Sequence, residues 1–189
     1  MEAVIYFAGG THIATPHGPR IIEDLSAGDL VLTRDAGPQL LEWIGMRQGL
    51  VGRSMAPVLF QAGAIGNNAP LRVSPNHRML IRGWRAQLMF GEEEVLVPAK
   101  ALVNGSTIRT ERPGLVSYFH LLTPKHEVFF AEGAEAETFL PGTEGLDGID
   151  VHARTRLFQA RPGLRADLTA YGRCARPTVR PRVGHLLAG

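Results

Sequence analysis

Turn-forming residues punctuate this chain about every ten residues, and that spacing leaves room for short strands rather than for helices of ordinary length. Gly (22) and Pro (13) supply most of the breaks. Between them lie apolar or alternating runs. Val4–Phe7 is a strand candidate, and Thr11–Thr15 and Arg20–Ile22 flank Pro16-His17-Gly18-Pro19 as a hairpin. Leu30–Thr33, Gln39–Ile44, Pro57–Gln61, Val95–Val97, Thr107–Thr110, Val116–Leu122 and Glu127–Ala131 read as further strands. Gly45–Ala56 reads as a mobile loop, Arg82–Gly91 as irregular, and Ala99–Val103 as one helical turn. No internal repeat at solenoid spacing interrupts this pattern. The body is expected to be all-β.

A chain of 189 residues is long enough for one domain with a sizeable core, or one domain and a tail. No apolar run approaches the roughly 18 residues of a membrane span, so no membrane partner is expected. Met1–Gly10 has no basic segment and carries Glu2, so no signal peptide is expected either. That leaves a cytoplasmic location by default, or secretion by a signal-less route. The single cysteine, Cys174, excludes an internal disulfide and a cysteine zinc cluster. Charge is unevenly spread. Residues 151–189 hold eight arginines and one acid, Asp167, whereas residues 1–150 hold twelve basic residues against seventeen acids. The tail is thus +7 and the body −5. With only Phe158 and Tyr171 for stacking, no basic helix and frequent Pro, the tail reads as an extended arm on the acidic body. An acidic partner fits it better than a nucleic acid does.

Leu71–Leu80 is the stretch richest in chemistry. A Ser-Pro-Asn turn at 74–76 breaks one apolar run and delivers His77 to the corner before the next, Met79–Ile81. Ser74 lies three residues before that imidazole. A hydroxyl and an imidazole on one tight turn can hydrogen-bond a single amide from two sides, and imidazole exchanges protons near neutrality. A turn histidine bonding local carbonyls is the alternative reading of the same residues. His12, His77, His120 and His126 are the histidines that would have to converge to hold a metal, but no further ligand is identified and no metal or cofactor is expected. His17 and His152 read as solvated, and Trp43 and Trp84 as packing residues.

Several blocks, in order, resemble the Hedgehog/intein (Hint) domain family in its bacterial stand-alone form. Tyr6-Phe7-Ala8-Gly9-Gly10-Thr11-His12-Ile13 resembles the family's opening block, which normally begins with Cys. Ile22-Glu23-Asp24-Leu25 with Gly28–Leu32, the Ser74-Pro75-Asn76-His77 turn, Val95–Gly105 and Tyr118–Gly133 resemble its later blocks. No single block is specific; their joint order is. The resemblance covers roughly residues 4–140 and leaves 141–189 as a Pro/Arg-rich extension. It implies a horseshoe of short antiparallel strands with the two ends of the body close together.

It also implies an autoprocessing chemistry whose substrate is the protein's own chain. The thiol of the opening residue attacks the preceding carbonyl, turning an amide into a thioester. By resemblance His77 is the proton donor to the departing nitrogen, Ser74 is its helping hydroxyl, and His126 is the second histidine that assists C-terminal release in splicing members. This chain departs from the pattern at the nucleophile, where Tyr6 stands instead of Cys or Ser. A phenol has a pKa near 10, an aryl ester leaves easily, and the hydroxyl sits too far from Cβ for the small cyclic transition state. The terminal His-Asn pair of splicing members is missing too, since the chain reads Ala134-Glu135-Ala136-Glu137-Thr138. Splicing is therefore not expected. A degenerate autoprocessing domain and a non-catalytic binding or structural module on the same fold are the two readings that remain.

Overall fold

The computed structural model describes residues 5–142, 145–146 and 148–180. Fourteen strands fall among them, and every ladder is antiparallel. They are β1 (Phe7–Ala8), β2 (His12–Thr15), β3 (Gly18–Ile21), β4 (Leu30–Thr33), β5 (Gly37–Leu40), β6 (Trp43–Val51) and β7 (Val58–Phe60). β8 (Leu71–Val73), β9 (Arg78–Arg82), β10 (Glu94–Pro98), β11 (Ile108–Thr110), β12 (Gly114–Leu122), β13 (Val128–Ala131) and β14 (Ala134–Glu137) follow. One sheet runs β11-β7-β8-β1-β12-β6; the other runs β10-β9-β14-β13-β2-β3, with β4 and β5 joined through β13. The all-β expectation holds.

The hydrophobic pattern explains the layering. Inward positions such as Phe7, Ile13, Val31, Val58, Val73, Met79, Val97 and Phe129 come from both sheets and form one buried cluster. Alternating neighbours such as His12, Leu30 and Arg72 face solvent. The first described strand sits at the centre of this arrangement. β1 lies between β8 and β12, with Phe7 opposite both Val73 and Phe119.

Three segments differ from the sequence reading. Gly45–Ala56 is not a loop. Most of it belongs to β6, which pairs with β12 over nine residues from Trp43↔Leu122 to Val51↔Gly114. Its exposed polar side chains and two glycines hide the strand signal, because an edge strand buries only one side. Arg82–Gly91 holds a short helix, α1 (Trp84–Phe90), stopped by Gly91 in the left-handed region at φ 70°. The tail is not simply an extended arm, for it contains α2 (Val151–Ala160). Asp150 caps α2 by accepting from the His152 and Ala153 amides at 2.9 Å each, which satisfies two otherwise unpaired donors. None of the helices among the described residues is long and apolar enough to cross a membrane.

The tail does pack on the acidic body. Ala153 and Leu157 of α2, with Leu146, Leu164 and Tyr171, share a cluster with Trp43, Leu122 and Phe139 of the body. Arg161 pairs with Glu42 at 3.0 Å, and Arg176 bridges Asp35 at 2.8 Å and Glu94 at 2.7 Å. Beyond these, Val179 and Pro177 exchange backbone hydrogen bonds with Leu96 at 2.9 Å. Because Leu157 is fully buried in that shared cluster, Leu157→Ala is expected to cost about 2–5 kcal/mol. Guanidinium unfolding followed by tryptophan fluorescence and by circular dichroism should then show one earlier, coincident transition. Two separated transitions would mean that the tail folds apart from the body.

Candidate functional site

The turn at 74–77 and the start of β1 are locked together by the backbone. The Ser74 amide donates to the Tyr6 carbonyl at 2.9 Å, and the Tyr6 amide donates to Ser74 Oγ at 2.9 Å. The turn closes on itself, with the His77 amide donating to the Ser74 carbonyl at 3.0 Å, and it is anchored outward by the Ala99 amide on the His77 carbonyl at 2.8 Å. Pro75 fits here because it has no amide to satisfy. Tyr6, Ser74 and His77 are all buried. The structure therefore brings these three sequence-predicted residues to one place, around the Ile5–Tyr6 peptide bond.

His77 packs its ring edge-on against Phe7 at 4.1 Å, next to the Tyr6 carbonyl. Burial lowers its pKa to about 4, opposed by the Glu137 carboxylate and by the neighbouring carbonyls of Tyr6 and Glu137. His120, considered from sequence only as a metal ligand, joins the same place from β12. Its ring lies 4.0 Å from the Tyr6 ring and beside the Ile5 carbonyl. Burial lowers His120 to about 3, and the proximity of His77 adds to the effect. Neither ring nitrogen of either histidine completes a hydrogen bond among the described residues. Two neutral imidazoles thus lie on either side of Tyr6, the first beside the carbonyl of Tyr6 and the second beside that of Ile5.

Gly45 and Trp43 explain how His120 is held. Gly45 is the register partner of His120, and the Trp43 indole folds over Gly45, where a Cβ would come within 2.2 Å of the ring. That lets Trp43 stack on His120 at 5.9 Å while Phe139 closes on it at 4.6 Å. No sequence pattern marks this arrangement, because it depends on the nine-residue pairing of β6 with β12.

The Tyr6 side chain is spoken for. Its ring stacks on Tyr118 at 5.0 Å, and its hydroxyl donates to the Gly148 carbonyl at 2.6 Å. The phenol therefore reaches away from the Ile5 carbonyl to the extension. This contact ties Tyr6 to residue 148 of the extension.

His126 stands apart from this group. Its Nε2 lies 3.1 Å from Glu137 Oε2, and its Nδ1 accepts from the Ala175 amide at 2.9 Å. Arg78 holds the same carboxylate through its amide at 2.9 Å and its guanidinium at 3.0 Å. Nothing in the sequence marks Glu137 beyond the Ala-Glu-Ala-Glu alternation of a strand. The four histidines do not form one metal set: His12 pairs with Glu132 at 3.0 Å on the surface. Among the described residues the donor atoms that converge are those of His126, Glu137 and Cys174, within 4.8 Å of one another. Both imidazole nitrogens and the carboxylate already have partners, so this group does not fit a metal ion without losing them.

The sequence matches the profile of the Hint domain over residues 5–143. No curated protein matches it. Among solved structures, the chain is similar to a bacterial intein-like domain from Clostridium thermocellum, at 16% identity over 70% of this chain and 96% of that one, with a TM-score of 0.47. It is also similar to a DnaB intein from Synechocystis sp. PCC 6803, at 17% identity over 71% and 99% of the two chains, with a TM-score of 0.42.

The two buried histidines make acid stability a readout of this site. A folded pKa below the unfolded value of about 6.5 means that the unfolded chain binds the proton first. Stability is therefore expected to fall between pH 6.5 and 4, by about 1.4 kcal/mol per pH unit for each such histidine. Urea midpoints at pH 7, 6, 5 and 4.5 measure this, and His120→Phe should flatten the slope; an unchanged slope would contradict the assignment.

Proposed function

The chain belongs to the Hint domain family, and we propose that it is an arrested autoprocessing domain, which keeps the acyl-shift surroundings of the Ile5–Tyr6 bond but lacks the nucleophile. The observation that carries this reading is the pair of hydrogen bonds between Tyr6 and Ser74, with His77 beside them. An acyl shift needs a nucleophile on the Ile5 carbonyl carbon, a stabilised oxyanion and a proton for the departing Tyr6 nitrogen. Ser74 Oγ already holds that nitrogen's hydrogen. His120, beside the Ile5 carbonyl, is placed to donate to the oxygen as charge develops there.

The proton balance accounts for the arrest. With a pKa of about 4, His77 is neutral near pH 7, so it must first act as a base. A thiol at position 6 would give its proton to His77 on attack, and the imidazolium so formed would pass that proton to the leaving nitrogen. The Tyr6 phenol keeps its proton and donates a hydrogen bond to the Gly148 carbonyl, and its oxygen sits beyond a rigid ring. His77 is never charged, and the C–N bond is not broken.

A second reading, a non-catalytic binding or structural module, is favoured by the way Tyr6 fills its place. The phenol joins β1, β12 and the extension through Tyr118, His120 and Gly148. A packed tyrosine of this kind does structural work that a cysteine could not.

Two experiments separate these readings. The protein with Tyr6 in place should keep its intact mass through long incubation with a thiol or with hydroxylamine; a species beginning at Tyr6 would overturn the arrest. With a reporter fused before Ile5, Tyr6→Cys should release the reporter on addition of thiol, and adding His77→Ala should slow release by about 10²–10⁴-fold. Equal release with and without His77 would make it a turn residue only. No release from a folded Tyr6→Cys protein would favour the structural module.

A further inference from the structure

We propose that Cys174, His126 and Glu137 form a second, independent site: an activated thiol open to oxidation by hydroperoxides. This goes beyond the arrested acyl shift and uses none of Tyr6, Ser74, His77 or His120. Cys174 is the only cysteine of the chain. It lies in the strap after Tyr171, half-buried and packed with Ala175 on Leu80, Leu96 and Val128. Its sulfur is within 4.8 Å of a nitrogen of His126 and an oxygen of Glu137. His126 and Glu137 are both buried, and the Arg78 guanidinium holds the same carboxylate oxygen as His126, at 3.0 Å. Nucleophile, base and a carboxylate that orients the base are thus assembled from three different segments: the strap, the β12–β13 turn and β14.

Electrostatics point the same way. Burial opposes charge on the thiol, but His126 and the Arg176 amide outweigh it and lower its pKa. Burial also opposes charge on His126, and the Cys174 sulfur together with Glu137 more than offsets it, raising that imidazole to about 9. Glu127, next to His126 in sequence, adds a further acidic group nearby. In the neutral pair, His126 Nδ1 accepts from the Ala175 amide at 2.9 Å. Once the thiol proton has moved to the imidazole, that amide must turn toward another acceptor, and the thiolate beside it is one.

The thiol is only half-exposed among apolar side chains, so the electrophile that reaches it is small. A hydroperoxide meets that need. The thiolate lone pair attacks one peroxide oxygen, the O–O bond breaks, and Cys174 becomes a sulfenic acid. Sulfur is oxidised and peroxide is reduced. The leaving oxygen takes the proton held by His126 and departs as water or an alcohol. A metal ion would compete for the same three side chains, but it would have to displace the Ala175 amide and the Arg78 guanidinium.

The full chain tests this directly. Alkylation by iodoacetamide should follow a midpoint below the ordinary thiol pKa of about 8.5, with a rate at about pH 7 above that of free cysteine. Hydrogen peroxide followed by a cyclic 1,3-diketone should add one label, absent from Cys174→Ser. His126→Gln should return the pH midpoint to the ordinary range. A midpoint at or above that range in the unmutated protein overturns the proposal without need of any variant. So does an unchanged rate in a folded His126→Gln protein, or one zinc ion per chain bound tightly enough to block alkylation.

Discussion

The hydrogen bond from the Tyr6 amide to Ser74 Oγ is the interaction on which the rest of this structure turns. Paired with the Ser74 amide on the Tyr6 carbonyl, it pins the first strand to the turn that carries His77. Such bonds in the interior gain about 1 kcal/mol each, but leaving one partner unmade costs more. The clamp therefore fixes Tyr6 between His77 and His120. From it follow the central place of β1 between β8 and β12 and the burial of the Ile5–Tyr6 peptide. The contact of the Tyr6 hydroxyl with Gly148 follows as well.

Burial gives these histidines their character. At His77 burial outweighs the Glu137 carboxylate and the neighbouring carbonyls, and at His120 it outweighs the Ile5 carbonyl, so both are held neutral. His126 is just as buried, but Glu137 and Cys174 sit against it and the balance reverses. The same side chain therefore appears in two opposite protonation regimes within one fold. The difference is set by Cys174 and Glu137, which both sit against His126, whereas only the Glu137 carboxylate acts on His77.

The strands were legible where turns bound them. The Pro16–Pro19 hairpin, Leu30–Thr33 and the Ser74–His77 corner could be read because Gly, Pro and Asn act locally. The Tyr6, Ser74 and His77 grouping could be read from ordered blocks of the chain. β6 could not, because it is an exposed edge whose partner lies about seventy residues away, and pairing at that range leaves no local mark. His120 was invisible as a site residue for the same reason: its place depends on Gly45 and Trp43 across that ladder. α2 escaped because its Asp150 cap and its apolar pair, Ala153 and Leu157, sit in a stretch dominated by arginine. The arginine excess was legible, however, and it does meet body acids at Glu42, Asp35 and Glu94.

The extension completes the body rather than trailing from it. Its apolar residues finish the cluster around Trp43 and Phe139, and its Gly148 carbonyl receives the Tyr6 phenol. The Tyr6 side chain is thereby part of the packing, and the backbone on its two sides lies beside two neutral rings. Nitrogen-15 NMR of protein labelled at tyrosine and histidine examines that arrangement most directly. The account predicts a Tyr6 amide strongly protected from hydrogen exchange and a His77 ring that stays neutral to below pH 5. A Tyr6 amide exchanging at the rate of an open loop, or a His77 ring titrating near pH 6.5, would contradict it.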